Sequence, residues 1–307
     1  MLLDRAIVRM LPAVPRPLVH RLAGRYIAGA TIADACRVVE ALNGRGQLAT
    51  IDVLGEELAR PDDARAIAAA YRDVLETIEA RGLDSTVSVK PTALGLNLAY
   101  DLCRENLLSI VEEAGRRANF VRIDMEDATT TDETLRLYRE LRGQGHGNVG
   151  VVLQAYLRRT LDDIDSLADL RPNVRLCKGI YVEPEEIAFQ GYEEVRANFL
   201  RALEALLDSG CYVGIATHDE RLVDEGRRIV GRRGLGPEEY EFQMLLGVTE
   251  RLGARLVGEG HRLRVYVPFG EQWYAYSLRR LQENPRMAGY IAADTVGRLL
   301  PGRNGRS

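Results

Sequence analysis

Short runs of alternating hydrophobic and polar residues occur along most of this chain, and stretches with helical spacing separate them. Segments 132–145 and 195–210 are two such helical stretches. Eight β-α units over about 250 residues are typical of a closed (β/α)8 barrel of the TIM type. The same alternation could build an open, doubly wound sheet, but the count of eight favours closure. The predicted strands are LATIDVL (48–54), TVSVK (86–90), FVRIDM (120–125), VGVVLQAY (149–156), VRLCK (174–178), YVGIAT (212–217), YEFQML (240–245) and LRVYV (263–267).

The residues before the first predicted strand have helical patterns instead. Thr31 is a good N-cap and Asp34 follows three residues later, which predicts a helix that starts there and stops near Gly44. No composition break divides the remainder of the chain. The sequence therefore predicts an α/β protein with an N-terminal helical arm (1–45), one barrel domain (46–300) and a disordered tail (301–307).

Bulk composition limits the classes of function. The 307 residues are 46% hydrophobic and 28% charged with a net charge of −4, which is typical of a soluble globular protein and not of a nucleic-acid-binding one. Four scattered cysteines indicate reduced thiols and a cytoplasmic protein, and four scattered histidines predict no metal site. No apolar run reaches about 18 residues, and Asp4, Arg5 and Arg9 argue against a signal peptide.

Lysine is almost absent from this chain: Lys90 and Lys178 are the only lysines among 41 basic residues. Both are the last residues of predicted strands, at the ends where barrel enzymes carry their catalytic groups. A lysine can simply extend from a barrel rim into water. The alternative is a site that needs a compact ammonium, either as a Schiff-base nucleophile or as a clamp for a carboxylate.

Further chemistry is concentrated at the strand ends and in the last helix. Arg279 and Arg280 are adjacent, with Tyr276 one turn before them and Glu283 one turn after. Paired guanidinium groups can be a solvated face, but beside the aromatic stretch VYVPFGEQWYAY they suit a small anion with an apolar body. The other polar residues at strand ends are Asp124, Glu126, Gln154, Thr217, His218 and Gln243.

A dinucleotide-binding pattern, Gly145-x-Gly147-x-x-Gly150, stands in the wrong context. That fingerprint follows a strand and opens a helix, whereas this one precedes the fourth predicted strand. The segment is predicted to be an ordinary helix-to-strand loop.

Several blocks together carry a family resemblance: VSVKPTALG, FVRIDMED, VVLQAYLRRT, VRLCKGIY, ATHD, EFQMLLG and YVPFGEQWYAYSLRRLQEN, in this order over residues 87–284. The chain resembles the proline dehydrogenases, FAD enzymes built on a distorted (β/α)8 barrel. The resemblance implies oxidation of L-proline to Δ1-pyrroline-5-carboxylate, the first step of proline catabolism, by hydride transfer to FAD. It also implies that electrons pass on to a membrane quinone, with the protein at most peripheral on the inner face of the cell membrane.

The resemblance also implies residue roles. Asp124 and Arg175 match catalytic residues, with Asp124 orienting Arg175 near the flavin. The substrate-binding residues implied are Lys90, Arg279 and Arg280 around the proline carboxylate, Tyr266, Tyr276, Tyr181 and Leu245 around the pocket, and Glu283 beside the arginines. The cofactor-binding residues implied are Met125, Gln154, Arg175, Lys178, Gly179, Ile180, Thr217 and His218. Ile180 departs from the family, which usually has alanine there, and adds bulk beside the expected flavin position.

Two alternatives for the function remain open at this point. One is a Schiff-base aldolase with Lys90 or Lys178 as nucleophile, and the other is a barrel that binds an amino acid without catalysis. The segment 1–22 also has two interpretations. Its apolar residues at helical spacing could pack on the barrel, or they could lie in a membrane interface with its arginines at anionic headgroups.

Overall fold

Eight parallel strands form a closed barrel in the order in which they occur along the chain. The computed structural model describes residues 26–55 and 58–273, which contain all eight predicted strands. β1 pairs with β8, and this pairing closes the sheet. The prediction of a TIM-type barrel is therefore confirmed and the open sheet is excluded. The strands are β1 Leu48–Val53, β2 Ser85–Val89, β3 Val121–Ile123, β4 Val149–Gln154, β5 Asn173–Cys177, β6 Tyr212–Ala216, β7 Tyr240–Leu245 and β8 Leu263–Phe269.

Helices connect successive strands, as parallel pairing requires. Short 3₁₀ helices at Thr92–Leu94, Ala128–Thr130 and Ala168–Leu170 supplement them. No helix among the described residues is long and apolar enough to cross a membrane. The α-helices are α1 Ile32–Asn43, α2 Pro61–Arg81, α3 Tyr100–Arg116, α4 Thr131–Gly143, α5 Thr160–Leu167, α6 Tyr192–Asp208, α7 Glu220–Arg232 and α8 Glu250–Gly258.

The predicted helix that precedes the barrel starts and stops where its capping residues lie. The Thr31 hydroxyl accepts a hydrogen bond from the Asp34 N–H at 3.2 Å, and Asp34 Oδ2 accepts one from the Thr31 N–H at 2.9 Å. This reciprocal capping box satisfies two donors at the start of α1. Gly44 caps the other end, with its N–H directed at the Glu40 carbonyl. The remainder of the predicted arm, residues 1–25, lies outside the described residues, as does the tail 301–307.

Alternate residues of each strand face opposite sides of the barrel wall. One set, for example Ile51, Val87, Ile123 and Val174, is fully buried and packs toward the surrounding helices. The other set faces the barrel interior, where side chains from different strands meet. Unlike the branched apolar layers that commonly fill such barrels, several of these interior side chains are charged or polar. The barrel interior therefore leads directly into a polar site at one end.

Strand ends differ from the prediction by a few residues. β3 is three residues long, although the Asp124 N–H still donates to the Val89 carbonyl at 2.9 Å. β4 ends at Gln154 because the chain turns there, and the Leu157 N–H donates back to the Gln154 carbonyl at 3.1 Å. Gly145 and Gly147 lie in the loop between α4 and β4, which confirms the prediction of a helix-to-strand loop for them, whereas Gly150 is the second residue of β4.

Candidate active site

The carboxyl ends of the eight strands carry most of the predicted site residues. Because all strands of the barrel are parallel, these ends form one face, where the loops that follow them meet. Lys90 comes directly after β2, Asp124 after β3, Lys178 after β5 and Thr217 after β6, while Gln154 ends β4. The structure thus brings residues far apart in sequence to a single face of the barrel.

Asp124 is the centre of a buried hydrogen-bond network. Its Oδ1 accepts from Arg175 Nη1 at 2.6 Å and from the Ser88 hydroxyl at 2.7 Å. Its Oδ2 accepts from the Tyr266 hydroxyl at 2.9 Å. Burial opposes ionisation, but the charges of Arg175 and Lys90, with the hydrogen bonds from Ser88 and Tyr266, keep the pKa of Asp124 below its usual value. Asp124 is therefore a carboxylate at neutral pH and holds the Arg175 guanidinium in one orientation.

Lys90 lies in the same network through a second carboxylate. Its Nζ is 2.6 Å from Asp52 Oδ2 and donates to the Tyr266 hydroxyl at 3.1 Å. Asp52 is fully buried on β1, and its Oδ1 is 3.0 Å from the Tyr71 hydroxyl. Burial, reinforced by Asp52, raises the pKa of Tyr71 well above its usual value, so that side chain stays a neutral phenol. The sequence prediction missed Asp52, although an isolated acid inside an apolar strand was a signal for it.

Arg175 is also held from its other side. Its Nε donates to Gln243 Oε1 at 2.5 Å, and Gln243 Nε2 donates to Glu241 Oε1 at 2.6 Å. Glu241 in turn accepts from Arg264 Nε at 2.8 Å. Gln243 was noted in the sequence as a strand-end residue without a role, and Glu241 was not singled out. Both lie on β7, next to each other on the face that points into the barrel.

The side-chain amide of Gln154 has a hydrogen-bond partner on its nitrogen but not on its oxygen among the described residues. Its Nε2 donates to the Glu126 carbonyl at 2.7 Å, whereas its Oε1 is buried without a hydrogen-bond partner among the residues that the structure describes. Buried polar atoms are nearly always paired, so an unpaired acceptor facing the site indicates room for a donor from a bound molecule. The Glu126 carboxylate, which accepts from the Thr92 N–H and hydroxyl at 2.9 and 2.6 Å, fixes the loop after β3.

The loop after β5 passes very close to the loop after β4. Gly179 has φ of +100°, a conformation that favours glycine, and a Cβ at this position would lie 2.0 Å from a ring carbon of Tyr156. No larger residue fits without moving the loop. Lys178 Nζ lies 3.3 Å from Asp219 Oδ2 and 4.7 Å from the centre of the Tyr192 ring. Ile180 and Tyr181 follow in the same loop, both partly exposed.

The loops after β6 and β7 are linked through His218. Its Nε2 accepts from the Leu245 N–H at 2.9 Å, which assigns the ring proton to Nδ1. Burial, with a smaller effect of Lys178, lowers the pKa of His218 to about 4, so the ring is neutral at pH 7. Thr217 accepts from the Asp219 N–H at 3.1 Å through its hydroxyl.

The remaining predicted residues fall into two groups. Met125 is buried beside Asp124, and Leu245, at the end of β7, is 36% exposed at the mouth of the site. The predicted anion clamp of the last helix, with its tyrosine and acid, lies outside the described residues: Tyr276, Arg279, Arg280 and Glu283. The structure thus brings Lys90, Asp124, Arg175 and Tyr266 into direct contact and leaves the clamp as a prediction.

Comparison with known proteins gives a consistent result. A family model described as proline dehydrogenase matches residues 35–292. The chain is 39% identical over 280 residues to the proline dehydrogenase of Deinococcus radiodurans, covering 90% of each chain. It is 37% identical over 269 residues to proline dehydrogenase 1 of Bacillus subtilis, covering 88% of this chain and 89% of that protein.

Solved structures show the same fold within larger proteins. Proline utilization A from Bdellovibrio bacteriovorus, inactivated by N-propargylglycine, superposes with a TM-score of 0.83 at 23% identity, over 91% of this chain and 36% of that one. The corresponding protein from Corynebacterium freiburgense has a TM-score of 0.76 at 22% identity, over 96% of this chain and 34% of its own. This chain therefore spans about a third of the length of these structural neighbours.

Proposed function

This chain belongs to the proline dehydrogenase family, and on that premise we propose that it oxidises L-proline to Δ1-pyrroline-5-carboxylate with FAD as the hydride acceptor. The reaction is the first step of proline catabolism. The observation that carries the proposal is the buried network in which Asp124 contacts Arg175, Ser88 and Tyr266 while Tyr266 contacts Lys90. Fixed charges of both signs at the open end of a barrel suit a reaction that moves charge between two bound molecules.

The substrate side of the site is proposed to bind the proline carboxylate. The Lys90 side chain is only 6% exposed, so few water molecules would compete with a substrate carboxylate for its ammonium. Arg279 and Arg280 are proposed to complete the clamp, and a bidentate guanidinium is well suited to a carboxylate. Tyr266 supports this arrangement because its hydroxyl contacts Lys90 and its ring faces the same group at 5.7 Å. Tyr181, Leu245, Tyr276 and Glu283 are proposed to line or support the rest of this pocket.

The cofactor side fits a flavin by three observations. Gln154 offers a buried acceptor that has no partner among the described residues, Gly179 brings backbone close to the site without a side chain, and Lys178 offers a cation for a phosphate group. Bound FAD would supply the acceptor for the hydride that leaves proline. The residues proposed to hold it are Met125, Gln154, Arg175, Lys178, Gly179, Ile180, Thr217 and His218.

The protein's own part in the reaction is positioning and electrostatics. Arg175, held by Asp124 at 2.6 Å, places a guanidinium where negative charge develops during hydride transfer. His218 is neutral and already accepts a hydrogen bond through Nε2, so only its Nδ1–H is available as a donor to a ligand. The burial of Lys90, Asp124 and Arg175 keeps water away from the reacting atoms, which strengthens these interactions.

The contacts of the two lysines argue against a Schiff-base aldolase. Lys90 is paired with Asp52 at 2.6 Å and Lys178 with Asp219 at 3.3 Å. Both Nζ atoms are thus engaged in ion pairs, whereas a Schiff-base lysine needs its Nζ available to form a covalent bond with a carbonyl carbon.

The electron acceptor after the flavin is proposed to be a membrane quinone, reached by a peripheral contact with the membrane. This proposal depends on the family and on the pattern of the N-terminal segment. Removal of residues 1–22 tests it: an interfacial segment predicts lost vesicle binding and lost activity with a long-tailed quinone, but full activity with a soluble dye. Unchanged vesicle binding would mean that the segment packs on the barrel.

The proposed activity is tested first by the absorbance spectrum of the purified protein. A yellow protein whose flavin absorbance bleaches when L-proline is added without oxygen, but not when D-proline is added, is the expected result. A colourless protein that takes up no added FAD would refute the proposal.

The carboxylate clamp has its own test. Arg280→Met keeps the aliphatic stem and removes a charge-assisted hydrogen bond, so the KM for proline should rise at least about tenfold with flavin still bound. An unchanged KM would exclude Arg280 from the clamp.

A further inference from the structure

Two polar residues of β7 lie beneath Arg175 inside the barrel, and neither has a direct role in the proposed chemistry. Glu241 and Gln243 are almost fully buried, with 2% and 5% of their surface exposed. They form a continuous chain of contacts that ends on Arg175: Glu241 Oε1 to Gln243 Nε2 at 2.6 Å, then Gln243 Oε1 to Arg175 Nε at 2.5 Å. Burying a carboxylate such as Glu241 costs free energy, so its presence inside the barrel needs a physical explanation.

The chemistry of the three groups allows only one arrangement. A glutamine amide has one accepting oxygen and one donating nitrogen, a carboxylate only accepts, and a guanidinium only donates. If the Gln243 amide were reversed, its NH2 would face the Arg175 Nε–H and its oxygen would face the Glu241 carboxylate. Both contacts would then be repulsive. The carboxylate of Glu241 therefore determines that an acceptor is presented to Arg175.

Glu241 does this through one oxygen: Oε1 accepts from both Gln243 and Arg264, while Oε2 is buried without a hydrogen-bond partner among the described residues. Burial raises the pKa of this carboxyl, but the charge and hydrogen bond of Arg264, the hydrogen bond from Gln243 and the charge of Arg122 together hold it below its usual value. Arg264 Nε lies 2.8 Å from Glu241 Oε1 and Arg264 Nη1 is anchored on the Ala49 carbonyl at 2.7 Å. Arg264 thus holds the Glu241 carboxylate in place.

We infer that Glu241 is a positioning residue that sets the orientation of the Arg175 guanidinium through the Gln243 amide. Gln243 holds Nε of Arg175 while Asp124 holds Nη1 at 2.6 Å, so the plane of the guanidinium is fixed at two points. This inference rests on the proposed function, in which Arg175 faces the flavin. It adds a residue that affects the reaction without touching the substrate, because Glu241 acts on Arg175 through Gln243.

The midpoint potential of the bound flavin distinguishes this role from a plain charge effect. A cation beside the ring stabilises the reduced, anionic flavin and raises the potential. Glu241→Met removes the acceptor together with a negative charge, and loss of the charge alone would raise the potential further. If the substitution instead releases Arg175 from its position, the potential falls. The sign of the shift therefore separates the two roles.

The experiment compares three variants with the wild-type holoenzyme. Glu241→Met removes the acceptor and should lower kcat by about tenfold, the size of one lost charge-assisted hydrogen bond, with a smaller change in KM and a lower flavin potential. The double variant Glu241→Gln with Gln243→Glu places an acceptor against Arg175 that needs no orienting partner. It should recover kcat to within about threefold of the wild type. Gln243→Met breaks the same relay without touching Arg264.

Each of the following results bears on the positioning role of Glu241. A raised or unchanged potential in Glu241→Met, or no recovery in the double variant, overturns the inference. If Glu241→Met does not fold, Gln243→Met decides, since normal kcat and potential there would exclude the relay. A crystal structure of the variant gives a readout independent of activity, because Arg175 Nη1 should leave Asp124 Oδ1. If Arg175 moves in the variant but L-proline does not reduce the flavin of the wild-type protein, the proposed function is refuted while the positioning role of Glu241 stands.

Discussion

The buried ion pair between Lys90 and Asp52 makes a sharp prediction about stability. The side chains are 6% and 0% exposed and the charged atoms lie 2.6 Å apart. Asp52→Asn keeps the shape of the side chain and removes the charge, which leaves a buried ammonium without its main partner. Breaking a buried pair from one side typically costs about 3–5 kcal/mol.

The contacts that remain around Lys90 place the expected loss at the lower end of that range. The ammonium keeps the Tyr266 hydroxyl at 3.1 Å and has Asp124 Oδ2 at 3.9 Å. We therefore expect the free energy of unfolding to fall by about 3 kcal/mol, which corresponds to a Tm lower by about 6–12 °C in a domain of this size. Calorimetry and urea unfolding, both with flavin bound, provide the measurement.

Two further variants test the reasoning itself. Asp62→Asn removes the partner of Arg65 from an exposed pair at 2.8 Å and should change stability by less than about 0.5 kcal/mol. Lys90→Met added to Asp52→Asn removes the buried ammonium and should recover much of the lost stability. A loss below about 1 kcal/mol in Asp52→Asn, or no recovery in the double variant, would refute the assignment of a charged buried pair.

Other predictions follow from the loops and thiols of the barrel. Gly179→Ala should weaken flavin binding at least about tenfold through overlap with the Tyr156 ring, whereas Gly210→Ala also adds a methyl group at positive φ, but in open space, and should leave binding intact. His218 has a folded-state pKa of about 4 against a usual 6.5, so the unfolded chain binds the proton first and stability should fall as pH drops from 6.5 toward 4. His218→Asn should flatten that slope in pH-dependent unfolding, and an unaltered slope would count against a buried neutral ring. Burial raises the thiol pKa of three cysteines, which should resist alkylation in the native protein as followed by mass spectrometry: Cys36, Cys103 and Cys211.

The secondary structure followed from patterns between neighbouring residues. The alternation in VRLCK and YVGIAT predicted β5 and β6 to within one residue, and the capping box at Thr31 predicted the start of α1. These signals are local because strand alternation, helix capping and turn preferences depend on residues a few positions apart. Strand ends were less well predicted, as in β4, because a strand stops where its partner or a turn takes over the hydrogen bonds.

Some residues of the candidate site were identified from the sequence, and others only from the structure. The family motifs identified Lys90, Asp124, Arg175 and Tyr266 as site residues, and the structure brings these four into one network. Their roles stay proposals, as do the domain boundaries and the clamp on the last helix. The motifs gave no role to the partners Asp52, Glu241 and Gln243: Asp52 lies outside the quoted blocks, and the other two lie within EFQMLLG without an assigned role.

The sequence by itself determined that eight strands alternate with helices, that Lys90 and Asp124 stand at the ends of two of them, and that Arg175 lies within a third. Only the tertiary structure decided that Asp52 pairs with Lys90, 38 residues away, and that Gln243 holds Arg175, 68 residues away. The physical reason is barrel closure. Which polar residue of a strand faces the interior, and which strand lies opposite it, depend on the register of all eight strands together, and no single segment contains that information.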